Sequence, residues 1–182
     1  MNKEQALDRL RTRCSREEVC SGMALALLKK WSAGSSTSGS STSGSSTSGS
    51  SFTERDMAQI IATLVKEKFI DDNRFADAFV RDKLKFNGWG KQKIVFKLRS
   101  LGVAADIIER ALRENYYCAD GGCPDGDGRL SGQKVLEKLL EKKWKSLKED
   151  EPLNVRKAKA VRFAAGRGFE YGDIIAALAK IM

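Results

Sequence analysis

Apolar residues recur along this chain at i, i+3, i+4 and i+7, the spacing of one face of an α-helix. No segment shows the period-two alternation of a strand. Ala6, Leu7 and Leu10 predict a helix over 4–13, and Val19, Met23, Leu27 and Leu28 predict one that ends near Trp31. Ile60, Ile61, Leu64 and Val65 mark a third helix that runs up to Phe69-Ile70-Asp71-Asp72. Over 72–86 one stripe carries Phe75, Phe79 and Phe86, with Ala76, Val80 and Leu84 beside it. A basic helix is predicted over 90–101, then one from Ala105 to about Asn115 that buries Ile107, Ile108, Ala111 and Leu112. The last three begin at Ser131 or Gly132, after Pro152, and after Gly168; the final one buries Ile174, Leu178 and Ile181. The pattern predicts an all-α fold of nine helices.

Polar residues at the ends of these stripes give starts and stops. Ser15 with Glu18, and Thr53 with Asp56, have the spacing of capping boxes, in which each side chain satisfies a backbone N–H of the other residue. Asp71 or Asp72 is expected to cap the helix over 72–86, and that role accounts for the adjacent carboxylates without any catalytic one. Gly88-Trp89-Gly90 and Gly166-Arg167-Gly168 read as breaks. Two stretches carry no helical pattern. From Gly34 to Ser51 the chain repeats Gly, Ser and Thr with no apolar residue. This is the composition of a flexible tether, and its regularity has an engineered look. Residues 118–131 form a turn-rich loop. Its Asp125-Gly126-Asp127-Gly128 resembles a calcium loop, but Cys123 and Lys134 stand where the two strongest carboxylate ligands belong, which argues against calcium.

The helices repeat. Lys93 to Gly102 aligns with Lys159 to Gly168, and each is followed by an Asp-Ile-Ile run ending in Ala-Leu. Leu28 and Trp31 fall where Leu98 and Leu101 do, and Ile60 and Leu64 where Ile108 and Leu112 do. The expectation is three tandem three-helix repeats: 1–70 including the tether, 71–117, and 118–182 including the loop. Stacked repeats of this kind form an elongated, curved helical protein with a long binding surface.

Charge then narrows the function. The 182 residues carry 33 Lys and Arg against 24 Asp and Glu, a net +9, which favours a polyanionic or acidic partner. The absence of histidine removes the commonest general base and zinc ligand. No P-loop, Gly-x-Ser-x-Gly or paired-carboxylate arrangement stands in for an active site, so we expect no enzyme and no cofactor. Cys14, Cys20, Cys118 and Cys123 fit neither a redox nor a zinc spacing and read as free thiols, so no metal site is expected. No apolar run is long enough to span a membrane, and the start of the chain lacks a signal-peptide core, so a cytoplasmic, monomeric protein is expected. Seven basic residues (Arg81, Lys83, Lys85, Lys91, Lys93, Lys97, Arg99) lie within nineteen positions against one acid, Asp82. Arg74, Arg81 and Lys85 share a helix face, Lys93 and Lys97 are one turn apart, and Trp89 is a corner packing residue or an aromatic contact. Arg156, Lys157, Lys159, Arg162 and Arg167 form a second basic strip. Such faces bind phosphates or carboxylates in a salt-dependent way.

Phe69-Ile70-Asp71-Asp72-Asn73-Arg74-Phe75-Ala76-Asp77-Ala78-Phe79, with Gly88-Trp89-Gly90, Ile94, Leu98 and Gly102, resembles the RecX family of bacterial recombination regulators. Residues 162–169 resemble that family's C-terminal repeat, and the first repeat is similar in its Cys14-Ser15-Arg16-Glu17 start. The resemblance implies a non-catalytic, all-helical protein that binds the RecA nucleoprotein filament. It also implies inhibition of RecA's recombinase, ATPase and coprotease activities, with the basic faces around Arg81, Lys85, Lys91, Lys93 and Lys97 contacting the filament or its single- or double-stranded DNA. Two other readings stand beside it: a helix-turn-helix module that binds DNA or RNA directly, and a helical-repeat interaction scaffold. On 90–101 only Gln92 and Arg99 suit base reading and lysine dominates, which favours backbone or protein contact.

Overall fold

A computed structural model describes residues 2–33, 53–117, 131–147 and 150–181. The regular structure among them is helical throughout: α1 (Lys3–Cys14), α2 (Ser21–Ser32), α3 (Glu54–Lys66), α4 (Asp72–Lys85), α5 (Lys91–Ser100), α6 (Ala105–Asn115), α7 (Gly132–Lys145), α8 (Leu153–Ala165) and α9 (Tyr171–Ile181). The all-α expectation holds. The stretch over 34–51, the turn-rich stretch over 118–130, and with it Cys118 and Cys123, lie outside the described residues.

Local chemistry sets several helix ends as read from the sequence. The Thr53–Asp56 capping box starts α3, and Ser131 caps α7 by accepting from the Lys134 N–H. Asp71 caps α4, its Oδ1 accepting from the N–H groups of Asn73 (2.9 Å) and Arg74 (3.1 Å).

The expected Ser15–Glu18 box does not form. Ser15 is instead the C-cap of α1, its hydroxyl donating to the Thr12 carbonyl at 2.8 Å. The orphan carbonyls of the preceding helix take the serine, and α2 starts only at Ser21. Cys20, its N-cap, offers no side-chain capping bond to the helix. The free N–H of Ser21 is bound by Asp72 Oδ1 at 2.7 Å, a residue fifty-one positions away. The two adjacent aspartates thus divide the work: Asp71 caps its own helix and Asp72 caps another.

The predicted phenylalanine stripe on α4 is also corrected. Ala76, Val80 and Leu84 are the buried line, with Phe75 beside them. Phe79 is half-buried, and Phe86, past the last helical residue, is 75% exposed. Small and branched side chains at four-residue spacing let neighbouring helices approach closely, whereas Phe86 lies beyond the helix that would have carried it inward.

The chain forms two compact units, Met1–Phe75 with Leu101–Val103, and Ala76–Ser100 with Ala104–Met182. In the first, α1 and α2 both pack on α3 around Leu10, Val19, Leu28, Ile60, Leu64 and Ile70. In the second, α5 packs on α6, and α7, α8 and α9 pack on one another. The aligned apolar pairs are all buried: Ile60 and Leu64, Ile108 and Leu112, Ile174 and Leu178.

One junction occurs in both units. In the first, the start of α2 lies against Leu101 and Gly102. Cys20 Sγ donates to the Leu101 carbonyl at 3.5 Å, and a Cβ on Gly22 would collide with that carbonyl oxygen. In the second, the start of α5 lies against Arg167 and Gly168. Gly90 N–H donates to the Arg167 carbonyl at 2.8 Å and Gln92 N–H to the Gly168 carbonyl at 3.0 Å. Gly102 and Gly168 both hold a positive φ, 80° and 87°, a conformation that disfavours any residue with a Cβ. By the repeat alignment Cys20 matches Gly90 and Leu101 matches Arg167, so equivalent carbonyls accept in both junctions, from a thiol in the first and a backbone N–H in the second.

Gly22→Ala is therefore expected to destabilise the protein by about 1–3 kcal/mol, because backbone must move to make room. Gly172→Ala, on α9 with nothing near the added Cβ, is expected to be neutral or stabilising by up to about 1 kcal/mol. Urea midpoints at unchanged slope measure both.

Candidate partner-binding surface

The basic cluster is organised by α5. This helix has no side-chain N-cap of its own; its first turn is satisfied from elsewhere in the second unit. Besides the Gly90 and Gln92 bonds, the Lys91 N–H donates to the Tyr116 hydroxyl at 3.2 Å. Free N–H groups at a helix start need partners when shielded from water, and three bonds from two other elements fix where α5 begins. Tyr116 is buried, and burial, the largest cause, pushes its hydroxyl up to about 12. It stays neutral, with its oxygen available to Lys91, throughout the physiological range. On the far side of the unit's α4, Asp77 accepts from Arg110 (3.1 Å) and from the buried Asn115 (3.0 Å), which ties α4 to α6.

Trp89 sits at the centre of the cluster. Its ring is edge-to-face with Phe79 at 6.4 Å between centroids. The Lys93 ammonium lies 4.8 Å and the Lys83 ammonium 5.5 Å from the ring centroid. The packing reading of this residue holds, since it packs against Phe79, and its ring also holds two cations of the same unit. Attraction between an ammonium and the ring quadrupole gives long lysine side chains a preferred position. Two like charges drawn to one ring concentrate positive charge at this point of the surface.

The other basic residues divide. On α5, Lys97 and Arg99 are exposed, as is Arg81 on α4. Lys85 is exposed with its ammonium 5.7 Å from the Phe86 ring. Lys91 faces Glu170 at 3.5 Å and the Tyr117 ring. The Tyr117 hydroxyl, first, and Glu170 hold its ammonium above the usual lysine value. It is a structural residue more than a free one. Arg74 lies in the first unit and is paired to Glu18 at 2.9 Å. In the second strip Lys159 is bound to Glu151 (2.6 Å). Arg156 lies 4.5 Å from the Trp144 ring, and Arg167 4.7 Å from the Phe163 ring. Arg167 also donates to the Asn87 carbonyl at 2.8 Å. Arg162 is exposed, its Nε reaching only the Ala158 carbonyl one turn back at 3.4 Å.

Two residues that charge counting misses belong to this surface. Phe96 is 74% exposed and Phe86 75% exposed. On α5 the buried positions are Ile94 and Leu98, and Phe96 stands between them, out of phase with the buried stripe. Lys93, Phe96 and Lys97 therefore share a face that carries two cations and an uncovered ring. The helical period signals Phe96 directly: an aromatic residue two positions from each core residue must face away from the core.

Among the described residues no group of His, Cys, Asp and Glu gathers that could hold a metal ion. Cys14 and Cys20 are free thiols, and burial raises both above the usual cysteine value. No described helix is long and apolar enough to cross a membrane.

Two family descriptions match this chain: RecX, second three-helix domain, over residues 71–112, and RecX, third three-helix domain, over residues 132–178. The regulatory protein RecX of Chromohalobacter salexigens is 32% identical over 124 residues, 68% of this chain and 70% of that protein. The chain belongs to the RecX family. The RecX protein of Clostridium tetani is 30% identical over 132 residues, 72% of this chain; the match spans about half of that longer relative (55%). A crystal structure of RecX from Lactobacillus salivarius superposes with a TM-score of 0.72 at 16% identity. It covers 98% of this chain and 96% of that one, and shares the fold. The first RecX match brackets α4, α5 and most of α6, the elements that carry the lysine-clamped tryptophan.

Because the Tyr116 hydroxyl titrates near 12 in the folded chain and near 10 when unfolded, its contribution to stability is complete below pH 10. That contribution is lost as pH rises from about 10 to 12, by an amount on the order of 2 kcal/mol. Urea melts of wild type and Tyr116→Phe across this range are expected to converge in slope against pH below 10 and to differ above it. Tyrosinate absorbance should show one late-titrating group, absent from the variant.

Proposed function

We propose that this RecX protein is a non-catalytic cytoplasmic regulator of recombination that acts as a monomer. In this reading it binds the RecA nucleoprotein filament and restrains RecA's recombinase, ATPase and coprotease activities. It is built as three three-helix repeats, 1–70, 71–117 and 118–182, and the α5 surface of the central one makes the main contact. The observation that carries this reading is the Trp89 clamp. Lys83 and Lys93 converge on one ring, next to the free Lys97 and the uncovered Phe96, inside the segment that matches the RecX second domain. A surface of fixed cations beside an exposed aromatic suits a partner that combines phosphate or carboxylate charge with apolar contact, as a protein-coated DNA does. Arg81, Lys85 and Arg99 extend it, and Arg162 adds charge from α8. Lys91, Lys159, Arg156 and Arg167 hold the fold of the second unit, and Arg74, paired with Glu18, that of the first.

The competing reading is direct nucleic-acid binding through the same face. It predicts that affinity for bare DNA accounts for any effect on RecA. Substoichiometric protein is expected to slow the DNA-dependent ATPase of preformed RecA filaments. Lys93→Glu with Lys97→Glu should weaken that inhibition tenfold or more without lowering thermal stability, as both side chains are exposed. Tight binding to single-stranded DNA with RecA's ATPase untouched would reject the regulator reading. Full inhibition by the double variant would move the contact off α5.

A further inference from the structure

The first unit has a basic groove of its own, on α1 and α2. It is a recess of about 730 Å³ lined by Arg9, Thr12, Arg13, Arg16, Glu17, Leu27, Lys30 and Trp31. Four of these eight residues are cations and one is an acid. Arg13 is neutralised locally by Glu17. Arg16 and Lys30 are exposed and make no ion pair among the described residues. The Arg9 guanidinium lies over the Trp31 ring, 5.0 Å from its centroid. Most of the unit's other acidic side chains are drawn elsewhere, Asp8 to Arg11 among them. Glu67 holds Arg11 at 2.5 Å and Glu18 holds Arg74. Asp56 closes its own cap, and Asp71 and Asp72 bind backbone N–H groups. The groove therefore keeps a surplus of about three positive charges while charge around it is matched.

We infer that this groove is a second, separate binding site, and that it takes a segment of single-stranded nucleic acid. Arg16 and Lys30 contact its phosphates, and the Arg9 guanidinium, steadied by Trp31, receives a base. Two features favour this ligand. A recess admits a strand, while a duplex backbone would span its rim. A planar cation held over an indole gives a base a stacking surface that a glutamate side chain cannot use.

The test uses the full chain carrying Lys93→Glu and Lys97→Glu, so that α5 does not contribute. The anisotropy of a fluorescein-labelled oligothymidylate is followed at low salt. Binding is expected, and adding Arg16→Glu with Lys30→Glu should weaken it tenfold or more. The same change should reduce the steepness of log K against log salt by about 1.4, the loss of two phosphate contacts to a single strand. Circular dichroism should show the helices intact. Arg9→Lys keeps the charge but loses the plane, so it should remove the preference for oligothymidylate over an abasic strand of equal length. The inference is overturned if the starting double variant binds no oligonucleotide, or if the groove variant leaves affinity and salt slope unchanged. It is equally overturned if poly-glutamate of matched charge or a duplex of matched length competes as well as the single strand. RecA's ATPase is not read in this experiment, so its outcome is independent of the regulator reading.

Discussion

A helix start that lacks its own cap must find hydrogen-bond partners, and in this protein that need ties distant parts of the chain together. The first turn of α2 is met by Asp72 and lies on the Leu101 carbonyl. The first turn of α5 is met by the carbonyls of Arg167 and Gly168 and the hydroxyl of Tyr116. In each case the receiving turn ends in a glycine at positive φ. At α5 two of the bonds run backbone to backbone, at α2 the bonds use the Cys20 and Asp72 side chains, and in both the helix start lies too close to the turn to admit a further Cβ. Removing a partner exposes a buried N–H, and adding a methyl group separates the two surfaces.

The same constraint orients the candidate surface. Pinning the start of α5 sets the rotation of the whole helix. Ile94 and Leu98 then face inward, and Lys93, Phe96 and Lys97 face away. Trp89, one residue before the pinned turn, is held against Phe79 with lysines from α4 and α5 over its ring. The positive charge of this surface is thus carried by side chains whose positions follow from the fold. The first unit repeats the theme with different parts: an arginine over Trp31 borders its basic groove. In both units an aromatic ring restrains a cation that would otherwise be a flexible, solvated side chain.

Much of this was legible in the residues. Helical periodicity located the nine helices of the described residues, because burial on a 3.6-residue period leaves its mark on composition whatever the partner helix is. The Thr53–Asp56, Asp71 and Ser131 caps were readable for a similar reason: donor and acceptor lie within one turn of chain. The repeat was readable through Gly102 and Gly168, since few residues other than glycine tolerate that conformation. Even Phe96, which charge counting passed over, is marked by its phase against Ile94 and Leu98.

What the sequence could not decide was the choice between equivalent local partners. Ser15 had the spacing of an N-cap, yet the carbonyls at the end of α1 were nearer and took it. Asp71 and Asp72 were interchangeable as caps until the fold brought Ser21 within 2.7 Å of Asp72. Arg74, Lys91 and Lys159 looked as free as Lys97, but Glu18, Glu170 and Glu151 lie beside them only once the helices have packed. Periodicity and capping depend on neighbours a few residues away and are written into the chain. Which cations remain available to a partner depends on acids brought near from elsewhere, and that only the tertiary structure decides.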